Sequence, residues 1–340
     1  MIRAALERVV DGETLSRAEA RDLIRALMQG EAEDVEIAAL LAALRTRGET
    51  VEEVTGAAEA MRELAVELPA APADAIDTCG TGGDRSDSFN ISTVAALVCA
   101  GAGVPVAKHG NRAASSKCGS AEVLEALGVN LEVPPEQMAR AVREVGMGFL
   151  FARACHPAMA RVAPIRTKLG IRTLFNRLGP LTNPMRVRRQ LVGVADPALV
   201  EPTFRALVEL GAERAWVVHG ADGMDELSIS APTQVLAWEG GSARELSVQP
   251  GSVVPAGRKQ DLVGGDAQEN ARIARAVLGG DSGPQRDVVL LNAAACFCVA
   301  GRVARLEDGV ALAAETIDAG RAAGALERLV SFTQQDGVQA

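Results

Sequence analysis

Aromatic side chains are scarce: 340 residues hold seven Phe, two Trp and no Tyr. Binding of nucleic acid by stacking bases on rings is therefore poorly supplied. A formal net charge of −9 argues further against a general polyanion binder. Lysine is rarer than its charge type suggests, with four Lys among 35 basic residues. Beside the alanine-rich composition, this reads as compositional bias rather than function.

Long apolar runs are also missing. The longest, about residues 93–107, falls short of the ~20 residues of a membrane span and is broken by glycines and a proline. It reads as a buried helix leading into a buried strand. The first twenty residues carry charges throughout and no apolar signal stretch. With six cysteines and no secretory signal, free thiols in a reducing cytoplasm are expected. Cys296 and Cys298 form C-x-C in an apolar helical stretch, and Cys155 precedes His156. Neither has zinc-finger spacing, so buried structural cysteines are expected. G-x-S-x-G, G-x-G-x-x-G and the Walker A pattern are all absent, and no nucleophilic triad stands out. The remaining composition, 48% hydrophobic and 23% charged, is that of a globular protein and excludes disorder.

Two regions differ in pattern. Residues 1–67 read as all helix. Ser16-x-x-Glu19 opens a helix that ends before Gly30, and Val35, Ile37, Leu40, Leu41 and Leu44 mark a second that stops at Gly48. Thr50-x-x-Glu53 opens a third, with Val54, Ala57, Met61 and Leu64 on one face. After the Pro/Ala stretch 68–75, short β-rich runs alternate with helices. Strands are expected at 75–78, 104–108, 148–152, 190–195 and 214–219. Helices are expected at 91–101, 120–127, 135–145, 197–210, 266–278, 286–300 and most of 308–331. The fold class is thus α/β: a small N-terminal all-helical domain (1–70) and a large α/β domain (71–340) with a mostly parallel central sheet. Charge is uneven. Residues 140–190 hold ten Arg and Lys168 against one acid, Glu144. Either an anionic ligand or the acidic helical block could be their partner.

Three segments carry chemistry. In Asp77-Thr78-Cys79-Gly80-Thr81-Gly82-Gly83-Asp84, a strand enters a glycine-rich turn, and Phe89-Asn90-Ile91-Ser92-Thr93 then opens a helix. Glycine backbone and a helix N-terminus together suit phosphate or pyrophosphate, although a tight βα turn with an Asn or Ser cap needs the same residues. Lys108-His109-Gly110-Asn111-Arg112-Ala113-Ala114-Ser115-Ser116, followed by Gly119-Ser120, puts a cation, an imidazole and hydroxyls at a strand end, where open α/β sheets bind ligands. Asp225 and Glu226, in the loop after the strand AWVV, suit Mg²⁺, which takes one or two carboxylates plus waters and phosphates.

GTGGD with FNIST, KHGNRAASS with GS, HPAMARVAPIRTKLGIRTLFNRLGPLTNP and HGADGMDELS occur in that order. In these motifs the chain closely resembles the anthranilate phosphoribosyltransferase family, over essentially its whole length. The resemblance implies a small helical domain joined by a returning helical segment near 165–185, and an α/β domain. It also implies homodimers formed through the helical domains, a cytoplasmic location and no nucleic-acid or membrane partner. The implied reaction, in L-tryptophan synthesis, moves the 5-phosphoribosyl group of phosphoribosyl pyrophosphate (PRPP) to the anthranilate amine, with two Mg²⁺ per subunit and no covalent nucleophile. Gly80, Gly83, Asp84 and Ser88 would line the PRPP site, and Asn90, Ile91, Ser92 and Thr93 would hold its pyrophosphate. Lys108, Gly110, Arg112, Ala113, Ala114, Ser115, Ser116 and Ser120 would complete the grip. Asn111 and Arg166 would take anthranilate, Arg166 meeting its carboxylate, with His109 and Gly179 near by. Ser92, Asp225 and Glu226 would be the metal ligands. The sequence departs from the family pattern at Arg85, Cys118 and Glu122, where Gly, Ser and Asp are usual. Two rivals remain: a pyrimidine nucleoside phosphorylase, testable by nucleoside phosphorolysis, and a non-catalytic nucleic-acid-binding paralogue, testable by a salt-sensitive DNA shift.

Overall fold

A computed structural model describes residues 1–84, 86–113 and 117–335. Four helices come first: α1 (Ile2–Val10), α2 (Arg17–Gln29), α3 (Asp34–Arg47) and α4 (Val51–Glu63). Ser16 and Glu19 close a reciprocal capping box on α2, and Thr50 and Glu53 close one on α4. Gly30, at φ +83°, ends α2 in the left-handed conformation that glycine adopts without strain.

Seven strands form one sheet: β1 (Ile76–Gly80), β2 (Val106–Gly110), β3 (Met147–Phe151), β4 (Arg189–Gly193), β5 (Arg214–Gly220), β6 (Thr233–Glu239) and β7 (Ser242–Val248). Their order is β3-β2-β1-β4-β5-β6-β7, parallel from β3 through β5 and antiparallel beyond. The connecting helices are α5 (Ile91–Gly101), α6 (Ser120–Leu127), α7 (Pro135–Glu144), α8 (Ala152–Cys155), α9 (Ala163–Leu169), α10 (Phe175–Leu178) and α11 (Val200–Glu209). Beyond the sheet lie α12 (Ala267–Leu278), α13 (Pro284–Ala300), α14 (Leu306–Asp318) and α15 (Arg321–Gln335). Among the described residues no helix is long and apolar enough to cross a membrane.

The five expected strands are present, with β1 and β2 each running two residues further than expected, to Gly80 and Gly110. The β6–β7 hairpin was missed. Strand β7 is almost wholly exposed and polar, so it has no apolar alternation to find. The available signal was Gly240-Gly241, both at positive φ, in the tight turn. Most of 308–331 is helical, as expected, in two helices parted at Gly320 (φ +71°), α14 and α15. Helices α8 to α10 were not foreseen from periodicity, being too short to show one.

Two apolar cores share the sheet. Leu191, Trp216 and Val218 face one core with α5 and α13, whose residues 288–300 are all buried. Their alternate neighbours Val192, Val194, Ala215 and Val217 face the other. That second core runs without a break into the N-terminal helices and includes Val162, Ile165, Leu174, Phe175, Leu178 and Leu181. It therefore crosses the chain boundary near residue 70, because α11 packs on both the sheet and α4. All six cysteines are free; burial raises the Cys118 thiol to about 11 and those of Cys155 and Cys298 to about 12, as inert structural thiols would show.

Candidate active site

Strand β1 lies between β2 and β4, so the chain winds outward on one side of β1 and resumes on the other. Such a switch point opens a crevice at the carboxyl ends of the strands. The ends of β1 and β4 are Gly80 and Gly193, paired across the sheet. A Cβ on Gly193 would lie 1.6 Å from Asp225 O, and one on Gly80 would lie 2.3 Å from Asp225 Oδ2. Gly193 therefore lets the main chain of the loop after β5 cross these strand ends, and Gly80 makes room for the Asp225 side chain.

That crossing sets Asp225 and Glu226 against the glycine-rich loop. Gly82 N–H donates to Asp225 Oδ2 at 2.9 Å, and Ser92 N–H donates to Glu226 Oε1 at 3.2 Å. Glu226 thus stands at the N-terminus of α5, which the Asn90 side chain leaves uncapped. Asn292, buried on α13, grips the same loop from below: its Oδ1 accepts from Leu227 N–H at 3.0 Å and its Nδ2 donates to Leu227 O at 2.9 Å. Burial and the neighbouring Asp84 push the Asp225 carboxyl up to about 6. Burial and Asp225 push Glu226 up as well. The buried Asp84 Oδ2 has no hydrogen-bond partner.

Lys108, at 1% exposure, lies beneath this group. Its Nζ donates to Thr78 O and, at 3.3 Å, to Ser92 Oγ. Asn90 is held by a residue that sequence reasoning did not select: Asn270 Nδ2 donates to Asn90 Oδ1 at 3.0 Å, while Asn270 Oδ1 accepts from Gly265 N–H at 2.7 Å. Ser88 accepts from Ser86 Oγ at 2.9 Å. Ser120 Oγ donates to Asn111 O at 3.2 Å, closing the β2 loop onto α6.

The Arg112 guanidinium is turned onto Glu125, with bonds of 2.8 and 2.6 Å, and lies over the Phe151 ring. Glu122 accepts from Ala113 N–H at 3.1 Å and from Gly119 N–H at 2.8 Å, so the longer acid at this departure staples both ends of the loop. Arg85, Ala114, Ser115 and Ser116 lie outside the described residues.

On the opposite side the 163–181 strip faces the sheet. His109 Nδ1 donates to Gly179 O at 3.0 Å, which leaves Nε2 without a proton. The His109 and His156 rings meet edge-on at 5.2 Å, and burial, helped at His109 by its neighbour, pushes them down to about 3 and about 4. The fully buried Asp77, pushed up to about 6 by burial, accepts from His109 N–H at 3.1 Å and from Asn183 Nδ2 at 2.9 Å. Arg166 lies 5.4 Å over the Phe175 ring with no acidic partner among the described residues, and burial lowers its affinity for a proton. Among the described residues no direct contact joins Arg166 to Asp225 or Glu226; its strip reaches them through Arg172, which donates to Gly82 O, while Gly82 N–H donates to Asp225.

The pairing of the basic segment with the helical block holds in part: Arg161 pairs with Asp34 at 2.6 Å and Arg177 with Glu49 at 3.1 Å.

A glycosyl transferase family helical-bundle model matches residues 3–65, and the α/β-domain model of the same family matches residues 72–323. Anthranilate phosphoribosyltransferase of Symbiobacterium thermophilum is 52% identical over 335 residues, 98% of either chain. The chain belongs to the anthranilate phosphoribosyltransferase family. Among solved structures of anthranilate phosphoribosyltransferase, the Thermus thermophilus protein is 47% identical, with a TM-score of 0.92 over 97% of this chain and 99% of that one. The Saccharomyces cerevisiae anthranilate phosphoribosyltransferase in complex with PRPP and Mg is 28% identical, with a TM-score of 0.88 over 98% and 97%. The nucleic-acid-binding alternative keeps no support beside these relatives and an intact Asp225–Glu226 pair.

Proposed function

We propose that this chain transfers the 5-phosphoribosyl group of PRPP to the anthranilate amine, releasing pyrophosphate and forming N-(5-phosphoribosyl)anthranilate for L-tryptophan synthesis. The observation that carries the reading is the glycine-rich loop facing Asp225 and Glu226 across Gly80 and Gly193 at the sheet's switch point. Amides of that loop and of the α5 N-terminus (Asn90, Ile91, Ser92, Thr93) face the pyrophosphate, with Lys108 and Ser120 beside it and Gly83, Asp84 and Ser88 at the ribose and 5-phosphate. Gly110, Arg112 and Ala113 belong to the same substrate-binding set, as do Ala114, Ser115 and Ser116, which lie outside the described residues.

The carboxylates fit a divalent cation. Asp84, Asp225 and Glu226 crowd like charges together, and one buried oxygen of Asp84 is unpaired. Among the described residues no three His, Cys, Asp or Glu side chains gather into a metal-holding group; an Mg²⁺ here would take its remaining ligands from phosphate and water. Asp225, Glu226 and Ser92 would hold two Mg²⁺ per subunit. Held by these residues, Mg²⁺ would supply charge neutralisation for the pyrophosphate leaving group. The protein's own part is positioning and preorganised dipoles. Arg166 pairs with the anthranilate carboxylate, while Asn111, His109 and Gly179 orient the ring so that the amine faces the anomeric carbon. An aromatic amine is neutral at pH 7, so no strong base is required of the neutral histidines.

The reading includes a cytoplasmic location and a homodimer formed through the helical bundle. Met1, Val10 and Val35 are exposed there at 67–68%, Val35 beside a surface groove of about 270 Å³ between α3 and α9. The deciding assay follows anthranilate fluorescence with PRPP. Loss of signal that requires Mg²⁺ is expected; no loss under any condition would refute the reading.

A further inference from the structure

One arginine of the basic strip is spent on main chain rather than on acid. Arg172 Nη1 donates to Gly82 O at 3.0 Å and Nη2 donates to Thr81 O at 3.2 Å. The fit is close, since a Cβ on Gly83 would lie 1.7 Å from Nη1. In a planar trans peptide, C=O and N–H point in opposite directions. With the Thr81 carbonyl turned to Arg172, the Gly82 N–H must face away from it, and it does, donating to Asp225 Oδ2 at 2.9 Å. With the Gly82 carbonyl turned the same way, the Gly83 N–H also faces away from Arg172, and the protein gives it no acceptor among the described residues. Two glycines at positive φ would otherwise leave these peptides free to flip.

The base from which Arg172 reaches is firm. Gly170 (φ +63°) ends α9 just before it, and Thr173 N–H, just after it, donates to Asn176 Oδ1 at 2.9 Å. Further along, Gly179 O accepts from His109, Pro180 O from Gln190 at 2.7 Å, and Leu181 O from Arg62 at 2.6 Å. Each of those carbonyls is thus taken by a side chain of a different element, β2, β4 or α4.

We propose that Arg172 is a positioning residue for the donor. It fixes two successive peptides of the glycine-rich loop so that their N–H groups face the crevice, and it acts through those amides rather than by its charge on the phosphate. This rests on the phosphoribosyl-transfer reading of the site. The fork geometry of guanidinium suits two carbonyl acceptors, whereas an ammonium is a point charge, so three substitutions separate the two roles.

The test measures binding of inorganic pyrophosphate with Mg²⁺ by calorimetry, together with the KM for PRPP and for anthranilate, in wild type, Arg172→Ala, Arg172→Gln and Arg172→Lys. In Arg172→Ala, pyrophosphate affinity and the KM for PRPP should each worsen about tenfold, as for loss of a charge-assisted contact. The KM for anthranilate at saturating PRPP should change less than threefold. Arg172→Gln, a neutral N–H donor, should recover part of the loss and Arg172→Lys should not. Rescue by Lys but not Gln would overturn the proposal in favour of direct charge on phosphate. Unchanged pyrophosphate binding in all three variants would overturn it outright. If wild type bound pyrophosphate yet failed to consume anthranilate, the proposed reaction would fall while the calorimetric comparison still decided the role of Arg172.

Discussion

The two walls of the crevice are built on opposite plans. The carboxylate wall, Asp84, Asp225 and Glu226, is held by main-chain N–H from Gly82 and Ser92 and by Asn292, with the buried cation Lys108 beneath its three carboxyl groups. The strip 163–181 carries four cations, Arg166, Lys168, Arg172 and Arg177. Arg177 pairs with the helical block, as Arg161 does just before the strip, Arg172 holds carbonyls and Lys168 is exposed; among the described residues Arg166, over the Phe175 ring, has no acidic partner. A site for two anionic substrates is thus made by crowding more carboxyl groups than Lys108 alone balances where a metal cation would join the ligand, and by leaving Arg166 without an acid where no metal is needed. The sum of charges in either segment says little about which group is available.

The comparison breaks first at the carboxylates. Asp225→Asn with Glu226→Gln should lower Mg²⁺-dependent kcat/KM by about 10²–10³-fold, and equal turnover in variant and wild type would remove the metal from this wall. Next in size is Gly193→Ala, whose Cβ would meet a main-chain oxygen that has nowhere to move. A destabilisation of about 3 kcal/mol in urea unfolding is expected, together with loss of activity. Arg166→Ala should raise the KM for anthranilate by about 10–100-fold and leave that for PRPP within twofold, since a charged hydrogen bond is worth about 1.5–3 kcal/mol. Equal effects on both substrates would show that the two walls are not separate.

The smallest effect lies where the walls meet. His109 and His156, pushed down to about 3 and about 4, should show imidazole resonances that do not move between pH 8 and pH 5. The sign for stability follows. Below about 6.5 the unfolded chain binds protons that the folded one refuses, so these histidines favour unfolding as pH falls toward 4 and contribute nothing above 7. Asp77, raised to about 6, acts in the opposite sense between about pH 4 and 6, which is why resonances rather than a melting curve should be read.

Much of this was legible in the residues. The switch from helical periodicity to strand–helix alternation near residue 70 located five parallel strands, and loop chemistry singled out the glycine-rich turn and the Asp225–Glu226 pair. Illegible were residues whose role depends on distant partners. Asn270 and Asn292 sit in ordinary helical sequence, and only the fold brings them to Asn90 and Leu227. Arg172 was one basic residue among eleven until its carbonyl partners were placed. The hairpin of β6 and β7 escaped because an exposed edge strand carries no apolar rhythm.

Gly80 and Gly193 carry a consequence for descent. Gly193 needs to touch no substrate to be irreplaceable, since a Cβ there strikes the main chain of the crossing loop, whereas Gly80 is constrained by the Asp225 side chain alone. A gene copy released from selection for catalysis would therefore keep Gly193 for as long as it was selected to fold, while Asp225, Glu226 and Arg166 drifted and the need for Gly80 went with Asp225. In such lineages Gly193 dates the architecture, and only the charged residues record whether the chemistry is still in use.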